Sequence, residues 1–87
     1  MFVILVYDVE KKRVGKVLKT ARKHLYWVQN SVLEGDISES SYKKLKLELG
    51  KIIDEDYDSV MFYTFRTTKY SEREIMGVKK GGEDNFL

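Results

Sequence analysis

The sequence predicts one small α+β domain in which strands and helices follow the order β-α-β-β-α-β, with one further strand after them. Three observations lead to this prediction: strand-like segments that are apolar on both faces, apolar residues at helical spacing between them, and a length of only 87 residues. A chain of this length has room for one hydrophobic core. Because the chain has no cysteine, neither disulfides nor thiolate-bound zinc can stabilise that core, and association of subunits is the usual alternative.

The first two elements have the clearest patterns. Residues 1–7 are rich in β-branched and aromatic side chains and are apolar at both odd and even positions, which predicts a central strand that is covered on both sides. Residues 11–24 carry apolar side chains at helical spacing, which predicts an amphipathic helix. The side chains of this apolar stripe are Val14, Val17, Leu18, Ala21 and Leu25.

The middle of the chain predicts two short strands and a second helix. Residues 26–37 contain apolar segments on either side of Asn30, so we expect two strands joined by a tight turn there, with a single bulged strand as the alternative. Ser38 is a suitable N-cap for a helix that runs to about residue 54. The expected buried stripe of this helix comprises Tyr42, Leu45, Leu49, Ile52 and Ile53.

Two more strands are predicted toward the C-terminus. Residues 57–66 are again apolar on both faces, and residues 75–78 are expected to form one last short strand. The residues after this strand are mostly glycine and charged side chains. We therefore expect a folded domain over residues 1–80 and a C-terminal tail over residues 81–87.

The predicted element order indicates a ferredoxin-like sandwich. Two right-handed βαβ crossovers joined in this order place both helices on one face of an antiparallel sheet. The strands at residues 1–7 and 57–66 nevertheless need cover on their second face. A second copy that packs sheet against sheet provides it, so the pattern predicts a homodimer joined through sheet faces. The alternative is that the final strand and the tail fold back over that face.

Charge is segregated along the chain although the formal net charge is only +2. Residues 11–24 carry seven basic residues and no acid, whereas residues 34–58 carry eight acids against four lysines. The purely basic helix favours contact with a phosphate backbone more strongly than the overall charge does. The apolar run at residues 2–7 is too short for a signal-peptide core or a membrane helix, so we expect a cytoplasmic protein without membrane contact.

Asp8 is the leading candidate for chemistry because it ends a buried central strand, where ligands tend to gather. The alternative is that Asp8 caps the following helix or braces the turn. One carboxylate alone makes a poor magnesium site, because this ion prefers six oxygen ligands and keeps several waters. A two-fold axis that brings two Asp8 carboxylates together would create a shared cation site.

The basic helix supplies a second candidate surface. Its polar side carries four lysines at helical spacing, here called the lysine row: Lys12, Lys16, Lys19 and Lys23. Such a row can follow a phosphate backbone without reading its sequence, and the alternative is an ordinary solvated helix face. Arg13 stands close to Asp8 in the sequence, and its fork of donors suits a scissile phosphate.

Two stretches of the sequence are characteristic in combination. The first strand ends Val6-Tyr7-Asp8-Val9, and a stretch after the basic helix has the sequence Val28-Gln29-Asn30-Ser31-Val32-Leu33-Glu34-Gly35. This combination resembles the small CRISPR-associated endonuclease family, called in words CRISPR-associated protein two, over about residues 1–80. The resemblance implies a ferredoxin-like dimer that holds one divalent ion, Mg²⁺ or Mn²⁺, at the subunit interface through Asp8.

The resemblance also implies further site residues. Tyr7 neighbours the metal ligand, and Arg13 matches a basic residue that is often functional in the family. The sequence departs from the family pattern at Leu33, where phenylalanine is common, and at Trp27, where a basic residue is frequent. The last strand of family members often crosses to the other subunit, so residues 75–78 are expected to do likewise.

The function implied by the resemblance is metal-dependent phosphodiester cleavage. Family members are described as cleaving single-stranded RNA or double-stranded DNA, and others as bridging two dimers of the CRISPR integrase on spacer DNA. We therefore expect an endonuclease and spacer-acquisition subunit with nucleic acid and the integrase as partners. The alternatives are a non-catalytic nucleic-acid scaffold, a toxin-type ribonuclease of similar fold and an RNA-binding module.

Overall fold

Seven elements follow one another in the computed structural model, which describes residues 1–67 and 70–78, apart from the side chains of residues 67 and 70–72. The elements are β1 (Phe2–Asp8), α1 (Lys11–Ala21), β2 (Tyr26–Gln29), β3 (Val32–Asp36), α2 (Glu39–Gly50), β4 (Ser59–Thr67) and β5 (Tyr70–Gly77). The predicted tail at residues 81–87 lies outside the described residues. No helix in the described ranges is long and apolar enough to cross a membrane.

The five strands form one antiparallel sheet in the order β2-β3-β1-β4-β5. β1 is the central strand, as its apolar pattern predicts, and it pairs with β3 on one side and β4 on the other. The order of the first four strands is that of a ferredoxin-like sandwich, and β5 extends the sheet beyond β4. The predicted fold class is confirmed.

One side of the sheet, here called the covered face, packs against the helices. β1 contributes Val3, Leu5 and Tyr7 to it, and all three are buried. Phe62 of β4 lies edge-on to Tyr42 of α2, with ring centroids 5.3 Å apart, an arrangement that aromatic pairs prefer. The other buried side chains of this core are Val17, Ala21, Leu25, Leu33, Leu45, Leu49, Ile53 and Val60. Both predicted helical stripes therefore face the core.

The opposite side of the sheet, here called the open face, carries the alternate residues of the same strands. It is apolar at its centre and meets neither helix. The apolar side chains that alternation places there are Phe2, Ile4, Val6, Val32, Met61, Tyr63, Phe65 and Ile75, and Glu34 and Arg73 share the face with them. Phe2 and Phe65 remain more than one-third exposed, with ring centroids 6.4 Å apart. β5 pairs with β4 within the sheet and does not fold over this face, and the tail of the fold-back alternative lies outside the described residues.

Both helices end earlier than the sequence pattern predicts. α1 ends at Ala21 rather than at residue 24, because the amides of Lys23 and His24 bond to carbonyls three residues back, in tighter turns. α2 ends at Gly50 rather than near residue 54. Its predicted cap is confirmed, since the Ser38 hydroxyl accepts a hydrogen bond from the backbone of Ser41 at 3.1 Å.

The prediction of two strands at residues 26–37 is confirmed, and the alternative of a single bulged strand is wrong. Two strands form, joined at Asn30, whose φ of +43° lies in the left-handed region that asparagine tolerates. A β-bulge also lies within β2, because Trp27 and Gln29 pair with neighbouring residues of β3. The bulge leaves Val28 as the extra residue and bends this edge strand.

The last strand is longer than predicted. β5 covers Tyr70–Gly77 and pairs with β4 of the same chain, whereas the sequence pattern suggested only residues 75–78. The first half of β5 is polar, so a pattern of hydrophobic residues does not indicate this part of the edge strand. The strand ends at Gly77, whose φ is +95° and where an added Cβ would lie 1.7 Å from the Asp58 carbonyl oxygen. Only glycine fits this approach.

Candidate functional site

Asp8 is the last residue of β1, and its side chain is exposed at the end of the open face. It pairs with Ser59 at the start of β4. Glu10 rather than Asp8 occupies the N-cap position of α1, and the alternative that Asp8 braces the turn stays a prediction. Asp8 lies in a shallow depression lined also by Tyr7, Val9, Val14, Asn30 and Ser31.

Tyr7 adjoins this depression from the covered side of the sheet. Successive strand residues point to opposite faces, so the Tyr7 ring is buried while Asp8 is exposed. The Tyr7 hydroxyl donates to the main-chain oxygen of Asn30 at 3.4 Å, and the Tyr7 amide donates to the Ser31 oxygen at 3.0 Å. Burial raises the pKa of the Tyr7 phenol, so near neutral pH the hydroxyl stays protonated and acts as a donor.

Asp58 is the residue of this region that the sequence pattern did not reveal. Its side chain is fully buried just before β4 and accepts four hydrogen bonds. The donors are the amides of Glu10 and Asp54, each at 2.8 Å, and the Arg13 guanidinium, through Nε at 2.5 Å and Nη2 at 3.0 Å. The arrangement, here called the Asp58 clamp, ties the start of α1 to the loop before β4.

The Asp58 clamp is a paired buried charge with its lone pairs satisfied. The Arg13 guanidinium lowers the pKa of the Asp58 carboxyl to about 2, against burial, which acts in the opposite direction. The pKa of Arg13 is raised in turn, chiefly by its hydrogen bond to Asp58. Because Asp8 lies between Tyr7 and the clamped Glu10, the clamp fixes the backbone on the C-terminal side of Asp8.

The sequence places Arg13 at a scissile phosphate, and the structure gives it other partners. Its guanidinium bonds to Asp58 on one side and to Glu10 Oε1 at 2.6 Å on the other, with only 14% of the side chain exposed. These contacts support a structural role for Arg13. A contact between Arg13 and substrate remains a prediction.

The oxygen atoms near Asp8 are of the kind that Mg²⁺ and Mn²⁺ prefer. The depression offers a carboxylate together with hydroxyl and main-chain oxygens, and no cysteine or histidine lines it. Within residues 1–67 and 70–78, however, no cluster of three or more acidic, histidine or cysteine side chains forms. A magnesium site at Asp8 would therefore need further oxygen ligands from beyond the described residues of one chain.

Three lysines of the lysine row, Lys12, Lys16 and Lys19, lie on the solvent side of α1, and Lys23 lies in the turns that follow the helix. All four lysines are exposed, and α1 starts three residues after Asp8, so the row leads away from the candidate site. Lys12 and Lys19 are separated by about 10 Å along the helix axis. Lys23 lies 3.6 Å from Glu48, an exposed pairing that is screened by salt. This arrangement gives a continuous positive strip beside the end of β1.

Comparison with known proteins identifies the family. A family model described as "CRISPR associated protein Cas2" matches residues 1–73. The chain is 56% identical over 87 residues to CRISPR-associated endoribonuclease Cas2 of Dictyoglomus turgidum, with 100% of both chains covered. It is 58% identical over 87 residues to the protein of the same name from Thermotoga maritima, with 100% of this chain and 99% of that chain covered.

A solved structure supports the same assignment. The structure described as "Crystal structure of cas2" matches with a TM-score of 0.73 and 40% sequence identity, over 93% of this chain and 91% of that chain. This chain therefore has the strand order and the exposed aspartate described above, and its length and sequence match those of known Cas2 proteins. The chain belongs to the CRISPR associated protein Cas2 family.

Proposed function

We propose that this chain is a metal-dependent endoribonuclease that acts as a homodimer, with one Asp8 carboxylate from each copy at a shared active site. The activity follows its curated relatives, which are named endoribonucleases. The observation that supports the shared site is the position of Asp8, which is exposed at the end of a strand whose open face is apolar.

The open face supports the dimer. Eight apolar or aromatic side chains alternate onto it from four strands, and helices occupy only the other side of the sheet. A contiguous apolar surface of this kind is typical of a protein contact. A second copy related by a two-fold axis presents the same surface, so two open faces can pack against each other. An axis that passes near the end of β1 brings the two Asp8 side chains together.

The shared site needs a cation because two close carboxylates repel each other. Two Asp8 carboxylates fit Mg²⁺ or Mn²⁺, since these ions accept a few carboxylate oxygens and keep waters as their other ligands. When bound, such an ion supplies Lewis-acid stabilisation of phosphoryl charge and an activated water. Asp8 holds the ion, and the buried Tyr7 hydroxyl fixes the neighbouring turn through Asn30.

A second proposed function is that of a scaffold on nucleic acid that bridges dimers of the CRISPR integrase. The observation that favours it is the lysine row, which is exposed along α1 and separate from the open face. A dimer carries two such rows and therefore offers two backbone-binding strips. Double-stranded DNA suits these strips as a ligand, because backbone contacts need no access to base edges.

The variant Asp8→Asn tests the catalytic proposal because it removes the charge that holds the ion and keeps the side-chain size. We expect metal-dependent cleavage of single-stranded RNA to fall by about 100-fold or more. Asp36→Asn is the matched control. Asp36 is an exposed aspartate at the end of β3, where it pairs with Phe2 at the end of β1 that is far from Asp8. Cleavage by Asp8→Asn at the wild-type rate would contradict the assignment.

A further inference from the structure

Trp27 is a large aromatic side chain that is half exposed and yet held in one orientation. Its exposure is 50%, and its indole Nε1 donates to the main-chain oxygen of Asn30 at 2.8 Å. The guanidinium carbon of Arg22 lies 5.8 Å from the ring centroid, within the range of a cation–π contact. The indole N–H is satisfied and the ring is fixed, while half of its surface stays open to solvent.

The backbone of β2 helps to hold Trp27 in this exposed orientation. β2 is an edge strand, so one side of it is free of strand pairing in the described sheet. The bulge at Val28 falls immediately after Trp27, and bulges re-aim the side chains beside them. Asn30 then closes the turn in a left-handed conformation, which brings its carbonyl oxygen back to the indole.

The position of Trp27 connects it to the candidate site. The same Asn30 oxygen that accepts from the Trp27 indole also accepts from the Tyr7 hydroxyl at 3.4 Å. The two donors are therefore within roughly 6 Å of each other. Asn30 and Tyr7 both line the depression that contains Asp8. Asn30 therefore links the indole to this depression.

The positive charge around Trp27 continues onto α1. Arg22, which contacts the indole, also lines a shallow groove with Gly15, Leu18 and Lys19. Gly15 has no other atom within 4 Å of its Cβ direction, so the surface at this point is open. A chain of phosphates can follow this groove toward the indole, because it is flanked by cations and unobstructed.

We propose that Trp27 is a stacking platform for one unpaired base of single-stranded RNA, with Arg22 and Lys19 holding the phosphates beside it. The inference rests on the proposed endoribonuclease function for the choice of RNA, and adds a subsite that is linked to the Asp8 depression through Asn30. Aromatic stacking accepts every base but requires a base that is free of its partner. The platform therefore makes the protein prefer single strands over duplexes without reading sequence.

The experiment uses Trp27 as its own probe, because it is the only tryptophan in the sequence. A 12-residue oligouridine is titrated into the full-length protein in the presence of EDTA and at low salt, and indole fluorescence is recorded. We expect strong quenching on binding, because stacking brings the base into contact with the ring. An RNA duplex of equal charge should bind the lysine row and leave most of the fluorescence unchanged.

Variants then measure what the ring contributes to affinity, by anisotropy of a labelled oligouridine. Trp27→Ala should weaken single-strand binding by on the order of tenfold and leave duplex binding within twofold. Trp27→Phe should retain most of the affinity, since it keeps a stacking face. The matched control is Tyr26→Ala, because Tyr26 is the neighbouring aromatic residue and is 80% exposed.

The outcome separates this inference from the proposed nuclease activity, since binding in EDTA needs neither cleavage nor a metal ion. Quenching by single strands together with a loss specific to Trp27→Ala supports the platform, whether or not the protein cleaves RNA. Equal quenching by single strands and duplex, absence of quenching by oligouridine, or equal losses in Trp27→Ala and Tyr26→Ala would overturn it.

Discussion

The two faces of the sheet are made by the same strands and differ in what lies against them. β1 sends Val3 and Leu5 to the covered face, where both are fully buried, and Phe2, Ile4 and Val6 to the open face, where they are exposed or half-buried. Both sets are equally apolar. A strand that is apolar on both sides predicts two layers of cover, and the described part of the chain provides only one of them.

The two aspartates of this region follow the same division. Asp58 is buried, and its four hydrogen bonds come from within the chain. Asp8 is exposed where the open face ends. A satisfied buried carboxylate is typical of a structural role, while an exposed one at the end of a central strand suits a ligand or a second subunit. The contrast supports a structural role for Asp58, and the chemistry proposed for Asp8 remains a prediction.

The largest predicted effect comes from placing a charge on the open face. Ile4→Lys puts an ammonium beside Glu34 at the centre of the proposed dimer seam, and burying a charge there in place of an apolar side chain is unfavourable even if Glu34 pairs with it. We expect the variant to be monomeric at concentrations where the wild type is dimeric, with dimer affinity lowered by about 100-fold or more. Light scattering coupled to size-exclusion chromatography measures the mass of each species.

The matched control for this change lies on the helical layer. Leu47→Lys also replaces an aliphatic side chain by lysine, but Leu47 is 68% exposed on α2. Its dimer should be unaffected. A dimeric Ile4→Lys variant would show that the open face is not the seam.

A smaller effect is expected from Asp58→Asn, which removes the buried carboxylate partner of the Arg13 guanidinium and leaves it only the exposed Glu10. Removing one member of a buried ion pair costs roughly 3 kcal/mol in free energy of unfolding. Urea denaturation followed by circular dichroism measures the loss. Asp56→Asn serves as the control, because Asp56 is exposed in the same loop. Equal stability of the two variants would mean that the Asp58 clamp contributes little.

The same pair predicts a pH dependence. In the folded protein the pKa of Asp58 is about 2, below its ordinary value of 3.8. Its stabilising contribution is therefore fully present above about pH 5 and is lost as the pH falls toward 2. The difference in unfolding free energy between wild type and Asp58→Asn should shrink over that range. A difference that stays constant from pH 6 to pH 2.5 would contradict the lowered pKa.

The smallest predicted effect concerns the lysine row. The double variant Lys16→Glu with Lys19→Glu should weaken duplex binding several-fold at low salt, and should lower the slope of log affinity against log salt by about 2. Replacing Lys43 and Lys44, which are exposed on α2, tests whether any lysine pair has this effect. An unchanged salt slope for the Lys16 and Lys19 variant would remove α1 from the nucleic-acid surface.

Much of the fold follows from the local pattern of side chains. The central position of β1, the core stripes of both helices and the Ser38 cap all depend on spacing within a few residues. The helix ends do not, because α1 closes through turns at residues 22–24 that apolar spacing does not reveal. The length of β5 was also not predicted, because the pairing of β5 with β4 determines this length and the hydrophobicity of β5 does not.

The candidate site could be predicted where the sequence around a single residue indicates it. It could not be predicted where two interacting residues are distant in the sequence. Asp8 follows from the end of an apolar strand. The partner of Arg13 does not, because Asp58 lies 45 residues away and only the folded sheet brings them together. Trp27 was noted only as a departure from a family pattern, since its contacts with Arg22 and Asn30 depend on the bulge in β2.

The central claim is that two copies share one ion between their Asp8 side chains, and the Mn²⁺ stoichiometry tests it most directly. Electron paramagnetic resonance counts free Mn²⁺ during titration of the protein at known chain concentration. We expect one tightly bound ion per two chains, and loss of that ion in Asp8→Asn with the dimer intact. One ion per chain, or unchanged Mn²⁺ binding in Asp8→Asn, would contradict the shared site.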